Sequence, residues 1–358
     1  MKTIFDKTKI KKMEFKNRII RSAIWEGFSD EKGYVTENLI EFYKKLAVGG
    51  VGTIITGFTS IVDYDRPAHN MISAYDDSFI PGLQKLTKTV HENGANIVLQ
   101  IVVGGSQGSP GISKKIVGPS VHINPVTKLE AQELSKEDIK KLVEKFAEAA
   151  QRAKEANFDA VQLHGAHGYL ISQFINPFFN KREDEYGGSI ENRSRFLFEV
   201  YAEVRKKVGD FPIFIKVNCE DFMDGGATTD DMMWVCKKLS EEGIDLIEVS
   251  GGNATSRKYE GVIRTRIDGP EKEAYFKEFA LKISDIISTP ISLIGGHRTL
   301  ENIEEVLNKG NIEYISMARP LLREPDLIEK WKLESDKTSK CISCNKCFGP
   351  KGSICIFL

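Results

Sequence analysis

In Val161-Gln162-Leu163-His164-Gly165-Ala166-His167-Gly168-Tyr169-Leu170, an apolar run ends in a glycine-punctuated turn carrying two imidazoles and a phenol. Residues 159–163 read as a short buried strand, and the polar cluster begins where that strand stops. Hydrogen-bonding side chains gathered at the end of a parallel strand belong at the active-site face of an α/β barrel. The flanking sequence should then alternate between strands and helices.

It does so in both directions. Upstream, 136–156 is helical, with Ser135 as N-cap and Asp138 three residues on, a near capping box. Before it come a strand at 96–102, a helix at 78–92 ended by Gly94, a strand at 51–56, a helix at 37–47 stopped by Gly49-Gly50, and a first strand at 17–23. Residues 4–15 suit a small hairpin closing one end, and a long polar loop runs from 103 to 134 past Pro110, Pro119 and Pro125. Downstream, helices at 191–208, 230–242, 271–287, 299–308 and 326–332 alternate with strands at 212–217, 245–249, 291–294 and 313–317. Eight strand–helix units predict a (β/α)8 TIM barrel at 1–334, with a cysteine-rich tail at 335–358. A doubly wound sheet would carry G-x-G-x-x-G after its first strand, and none is there.

The 358 residues carry a net charge of -1 and are 41% hydrophobic, which points to neither nucleic acid nor a membrane surface as partner. The opening Met1-Lys2-Thr3-Ile4-Phe5-Asp6 lacks the apolar run of a signal peptide, and no segment is long enough to span a bilayer, so a cytoplasmic protein is expected. A small-molecule substrate is the expected partner, and homo-oligomerisation stays open.

Function in a barrel gathers on the loops after the strands. After strands seven and eight stand Gly295-Gly296-His297-Arg298 and Ala318-Arg319-Pro320. Paired glycines let backbone N–H groups approach an anion, and an arginine can clamp phosphate oxygens bidentately. Phosphate binding is favoured over a plain tight turn with a surface arginine. Gln100 offers an amide on strand three. Lys216 interrupts an apolar strand, so it either enters the barrel beside an anion or snorkels outward. His164 and His167 lack a third zinc ligand at motif spacing; instead they can donate paired hydrogen bonds to one substrate oxygen, with Tyr169 as proton donor. Ordinary packed polar residues are the alternative. Farther on, Ser189 suits an N-cap, and Arg193 and Arg195 can pair with the acids before them.

Together, H-G-A-H-G-Y-L-I-x-Q-F from His164, D-E-Y-G-G-S-x-E-N-R-x-R-F from Asp184 and K-N-R-I from Lys16 resemble the Old Yellow Enzyme family of FMN-dependent ene-reductases. The resemblance covers essentially residues 1–330. It implies that NAD(P)H reduces a bound FMN, which passes hydride to the β-carbon of an activated alkene such as an enone, enal or nitroalkene. It also implies site roles: His164 and His167 would bind the activating oxygen, and Tyr169 would protonate the α-carbon. Gln100 and Lys216 would contact the flavin, where many relatives have arginine in place of the lysine. Ser22 and Ala23 would run under the ring, and Gly295, Gly296, Ala318 and Arg319 would hold the phosphate. The chain departs from the family in having Ala23-Ile24-Trp25 where relatives often have Pro-Met-Thr or Pro-Met-Cys, so Trp25 is expected to wall the substrate pocket. The Q-L-x-H-x-G-R pattern also becomes Gln100-Ile101-Val102-Val103-Gly104-Gly105-Ser106.

The tail reads C-x2-C-x2-C-x7-C through Cys341, Cys344, Cys347 and Cys355. This resembles, with shorter spacings, the iron–sulfur segment of the dienoyl-CoA reductase branch. [4Fe–4S], zinc and a metal-free remnant stay equally open. Two other classes compete with the reductase: a flavin/iron–sulfur electron-transfer protein, and a phosphate-binding barrel lyase or isomerase. The second lacks a clear Schiff-base lysine or paired acids.

Overall fold

A computed structural model describes residues 1–333 and 337–358. Eight parallel strands close on themselves: β1 Ile19–Arg21, β2 Thr53–Ile55, β3 Asn96–Val102, β4 Ala160–Gly165, β5 Ile213–Asn218, β6 Leu246–Ser250, β7 Ile291–Leu293 and β8 Ile312–Met317. Closure is complete because β8 pairs with β1 (Ile315 opposite Ile19) and β3 with β4 (Leu99 opposite Val161). The barrel helices are α1 Glu37–Val48, α2 Ile80–Glu92, α3 Lys136–Glu155, α4 Arg195–Val208, α5 Thr229–Glu241, α6 Lys277–Ser284, α7 Leu300–Leu307 and α8 Leu327–Leu333. The TIM barrel is therefore as expected, and the boundary placed between 334 and 335 lies outside the described residues.

Helix α3 shows how sequence sets local structure. Ser135 Oγ accepts from the Asp138 N–H at 3.1 Å, satisfying one of the donors a helix start leaves unpaired. Ile139, Leu142, Phe146, Ala149, Ala150 and Ala153 recur at helical spacing and are buried, with Phe146 edge-on to Phe196 of α4 at 6.2 Å. Each large apolar side chain buried this way contributes about 1.5–3 kcal/mol.

Three elements depart from expectation, and so do two arginine pairings. The helix expected at 191–208 breaks at Ser194 into Ile190–Arg193 and α4, because the Ser194 side chain bonds back to the Ile190 carbonyl at 2.6 Å. Arg193 pairs with Asp231 of α5 rather than an acid before it, and Arg195 takes the Glu185 carbonyl. The helix expected at 271–287 shortens to α6, preceded by a 3₁₀ turn, Pro270–Lys272. The long loop after β3 carries three short strands, Val117–Gly118, His122–Ile123 and Glu130–Glu133.

Period-two alternation sorts the barrel interior into layers. At one end Ile20, Ile55, Val98, Ala160, Phe214, Leu246 and Tyr314 form an apolar floor, covered by Ile10, Met13 and Phe15 of the hairpin Thr8–Ile10/Met13–Phe15. Two residues farther along the same strands stand Ser22, Gln100, Gln162, Lys216, Glu248 and Ser316, all buried. The chemistry begins at this second layer.

Candidate active site

Side chains of the second layer form one continuous chain across the barrel. Gln100 Nε2 donates to Gln162 Oε1 at 2.7 Å, and Gln162 Nε2 donates to Glu248 Oε2 at 2.8 Å. The same carboxylate oxygen lies 3.3 Å from Lys216 Nζ, which donates to Ser22 Oγ at 2.9 Å. Lys216 thus enters the barrel and meets the anion it needs, its side chain 2% and that of Glu248 0% exposed. Burial pulls the Lys216 ammonium below its usual value, and Glu248 opposes that pull.

Above this layer a cavity of about 440 Å³ opens at the strand C-termini. His164, His167 and Tyr169 gather at one side: the imidazole centroids lie 5.1 Å apart, nearly perpendicular, and the phenol lies 4.7 Å from His164. His164 is the next-to-last residue of β4, whereas His167 sits on the following turn at φ +62. Asn218 Oδ1 accepts the His167 N–H at 3.1 Å, Gln107 Nε2 holds the His167 carbonyl at 2.7 Å, and His167 Nε2 meets Ser250 Oγ at 2.7 Å. Asn218 is itself fixed by Asp221 at 2.7 Å.

The electrostatics keep this cluster uncharged. Burial, then His167, then Lys216 hold His164 well below the ordinary imidazole pKa; burial and Lys216 do the same to His167. Burial, with Asp65 nearby, pushes the Tyr169 phenol up. Two neutral imidazoles and a protonated phenol therefore face the cavity near neutral pH.

The other expected residues distribute as follows. Ala23, Trp25, Gln100, Lys216, Gly296, Ala318 and Arg319 line the cavity. Ser22 stands behind it as the Lys216 acceptor, and Gly295 contributes its carbonyl to the Tyr275 N–H at 3.1 Å. Gly296 has φ +79, and a Cβ there would meet Tyr275 Cε1 at 2.8 Å, so backbone approaches the cavity where a side chain has no room. Trp25 is held by its indole N–H donating to the His69 carbonyl at 2.9 Å.

Gln100 Oε1, His164 Nδ1 and His297 Nδ1 are buried without a partner among the described residues, each on a residue lining the cavity. Buried polar atoms are seldom left so in a finished protein. A guest with hydrogen-bonding groups is what they fit. Gln162, Glu248, Ser250 and Asn218 were not singled out from the sequence; their signal is a polar residue two positions from another inside an otherwise apolar strand.

The four tail thiols line one small cavity of about 20 Å³ together with Arg319, Arg323 and Lys340. Yet among the described residues no group of three or more His, Cys, Asp or Glu is arranged to hold a metal ion. The iron–sulfur and zinc readings that the spacing left open beside a metal-free remnant are therefore not supported among the described residues. No described helix is long and apolar enough to cross a membrane.

Comparison with known proteins agrees with this geometry. The NADH:flavin oxidoreductase / NADH oxidase family matches residues 3–337. A Thermoanaerobacter brockii NADH oxidase is 33% identical over 96% of the chain, which spans 52% of that relative. The chain thus covers about half the length of that relative. An NADPH dehydrogenase of Geobacillus thermodenitrificans is 35% identical, with 87% of this chain and 88% of the relative covered. The solved structure of an Old Yellow Enzyme homologue from Zymomonas mobilis superposes with a TM-score of 0.83 at 25% identity, covering 98% of both chains. With the family matched along nearly the whole barrel and the histidine–tyrosine cluster at its mouth, the chain belongs to the NADH:flavin oxidoreductase / NADH oxidase family, that of the Old Yellow Enzymes.

Proposed function

We propose that the chain is an NAD(P)H-dependent FMN oxidoreductase that reduces the C=C bond of activated alkenes. The observation that carries this reading is the uncharged cluster of His164, His167 and Tyr169 beside a cavity lined with unpartnered polar atoms. FMN, when bound, would supply the chemistry of hydride transfer between a nicotinamide and the β-carbon.

The protein's part is binding, polarisation and proton placement. Gln100 and Lys216, with Ser22 and Ala23, would hold the ring system; Gly295, Gly296, Ala318 and Arg319 would hold the phosphate; Trp25 would wall the alkene. His164 and His167 donate hydrogen bonds to the substrate's activating oxygen, where negative charge develops as the β-carbon accepts hydride. Each neutral imidazole carries one N–H for this purpose, whereas an imidazolium pair would repel itself. Tyr169 keeps its proton because burial disfavours the phenolate, and it delivers that proton to the α-carbon. A barrel lyase acting through a free amine is disfavoured, since Lys216 is paired with Glu248. No metal site is supported at the tail thiols among the described residues, and no step is assigned to one.

Stopped-flow reoxidation of the reduced enzyme tests these roles. His167→Ala should slow reaction with an enone by about 10²–10³, the usual loss for one such donor, and should weaken phenol binding. Tyr169→Phe should retain phenol binding and still accept a nitroalkene, while enone turnover falls by roughly 10²–10⁴. Loss of phenol binding in Tyr169→Phe with retention in His167→Ala would reverse the assignment.

A further inference from the structure

The cysteine-rich tail lines the cavity through Ser343 and Phe348 and reaches the cavity's Arg319 through Asn345. Asn345 lies between Cys344 and Cys347 at φ +59, a left-handed conformation that asparagine tolerates better than most residues. Its Oδ1 accepts from Arg319 Nη1, and its Nδ2 donates to the Ile263 carbonyl at 3.2 Å. The same Nη1 of Arg319 donates to the Arg264 carbonyl at 2.9 Å. The Arg264 guanidinium stacks over Tyr275 at 4.7 Å, the ring that fills the space beside Gly296. One amide thus ties together the arginine, the loop at 263–264 and, through that loop, the glycine turn after β7.

This arrangement has a physical consequence. An arginine side chain loses up to about 2 kcal/mol of conformational freedom when it is fixed in one geometry. If that cost is met in the unliganded protein, the guanidinium is already aimed when an anion arrives.

We propose that Asn345 is a positioning residue for the phosphate end of the cavity, holding Arg319 and the 263–264 loop so that the tail forms part of the flavin-binding site. The proposal rests on the reading that this end receives the FMN phosphate, and it requires no metal at the cysteines. Asn345 acts through Arg319 and does not itself touch the ligand. The tail also bonds independently to the backbone at Trp25, another cavity-lining residue: Ser353 donates through its hydroxyl to the Trp25 carbonyl and through its N–H to the Glu26 carbonyl at 2.7 Å. That contact supplies a control in the same segment.

The test compares FMN with riboflavin, which lacks the phosphate, by fluorescence titration of the full-length chain. Asn345→Gly removes the amide while suiting the positive φ, and Asn345→Ala is the second variant. Both should weaken FMN about tenfold or more, the loss expected for a hydrogen bond to a charged group, and change riboflavin less than about twofold. Ser353→Ala should leave the FMN-to-riboflavin preference at the wild-type ratio. An equal loss for both ligands would show that the tail only supports the fold, and no loss for either would remove Asn345 from the site; either result overturns the proposal. If the wild type itself showed no preference for FMN over riboflavin, the phosphate reading of this end would fail first and the proposal with it.

Discussion

The floor and the second layer of this barrel lie two residues apart on the same strands, yet they obey opposite rules. Val98, Phe214 and Leu246 on the floor are followed two positions later by Gln100, Lys216 and Glu248. The floor is sealed by a hairpin and held by apolar packing, which is additive, non-directional and tolerant of volume-conserving change. The layer above is equally buried, but every group depends on a named partner: Gln100 on Gln162, Gln162 on Glu248, Glu248 on Lys216. Burial alone therefore says little about how a position responds to substitution. What matters is whether its neighbours are interchangeable.

The hardest test of that contrast is Glu248→Leu. It leaves the Lys216 ammonium buried and unpaired and takes the acceptor from Gln162, so a loss of about 3–5 kcal/mol is expected in denaturant unfolding. The double variant Lys216→Met/Glu248→Leu should recover most of that loss. A double variant as unstable as the single one would mean that the two residues do not act as a pair.

A second contrast is pH. Among the cavity-lining residues, His297 is buried with its Nε2 donating to the Leu293 carbonyl at 3.1 Å, and burial brings its pKa from 6.5 down to about 4. The unfolded chain then takes up this proton first. The stabilisation is complete above pH 6.5 and is lost as pH falls toward 4. Asp65 and Asp221, pushed up to about 6 by burial, act in the opposite sense, losing stability as pH rises from 3.8 through 6. The difference between the flavin-free wild type and His297→Gln isolates the imidazole: it should shift by about 2 kcal/mol between pH 7 and pH 5. A difference independent of pH would show that His297 does not titrate in this window.

The smallest effect belongs to the floor. Leu246→Met should cost less than about 1.5 kcal/mol, with flavin affinity unchanged in the folded protein. A larger loss, or one that reached the flavin, would mean that the two layers are coupled through the strand they share.

Much of this architecture was legible in the sequence because it depends on local period. The eight strands appear as short apolar runs, and glycines such as Gly94, Gly243 and Gly310 end helices at positive φ. His164, His167 and Tyr169 stand out because three polar groups share one turn. Gln162 and Glu248 were harder to see, since a strand's sequence does not say which face looks inward, and partners 86 residues apart meet only once the barrel closes. The link from Asn345 to Arg319 is likewise invisible to spacing, because it joins the tail to the first residue of the short helix after β8, Arg319–Arg323. Ser194 defeated the helix pattern for a different reason: a side chain's own hydrogen bond competed with the backbone ladder.

The left-handed turn at His167 has a consequence for anyone who would diversify this position. A β-branched residue at φ +62 pays a steric penalty before its chemistry is tested, whereas glycine and asparagine enter that region readily. A saturation library at 167 would therefore be filtered first by backbone geometry. Variants surviving a fold selection would be rich in glycine and asparagine whatever the substrate. Of those two, only asparagine brings a side-chain N–H to offer the oxygen, so comparing Asn with Gly adds to the alanine variant a pair in which the bend is kept.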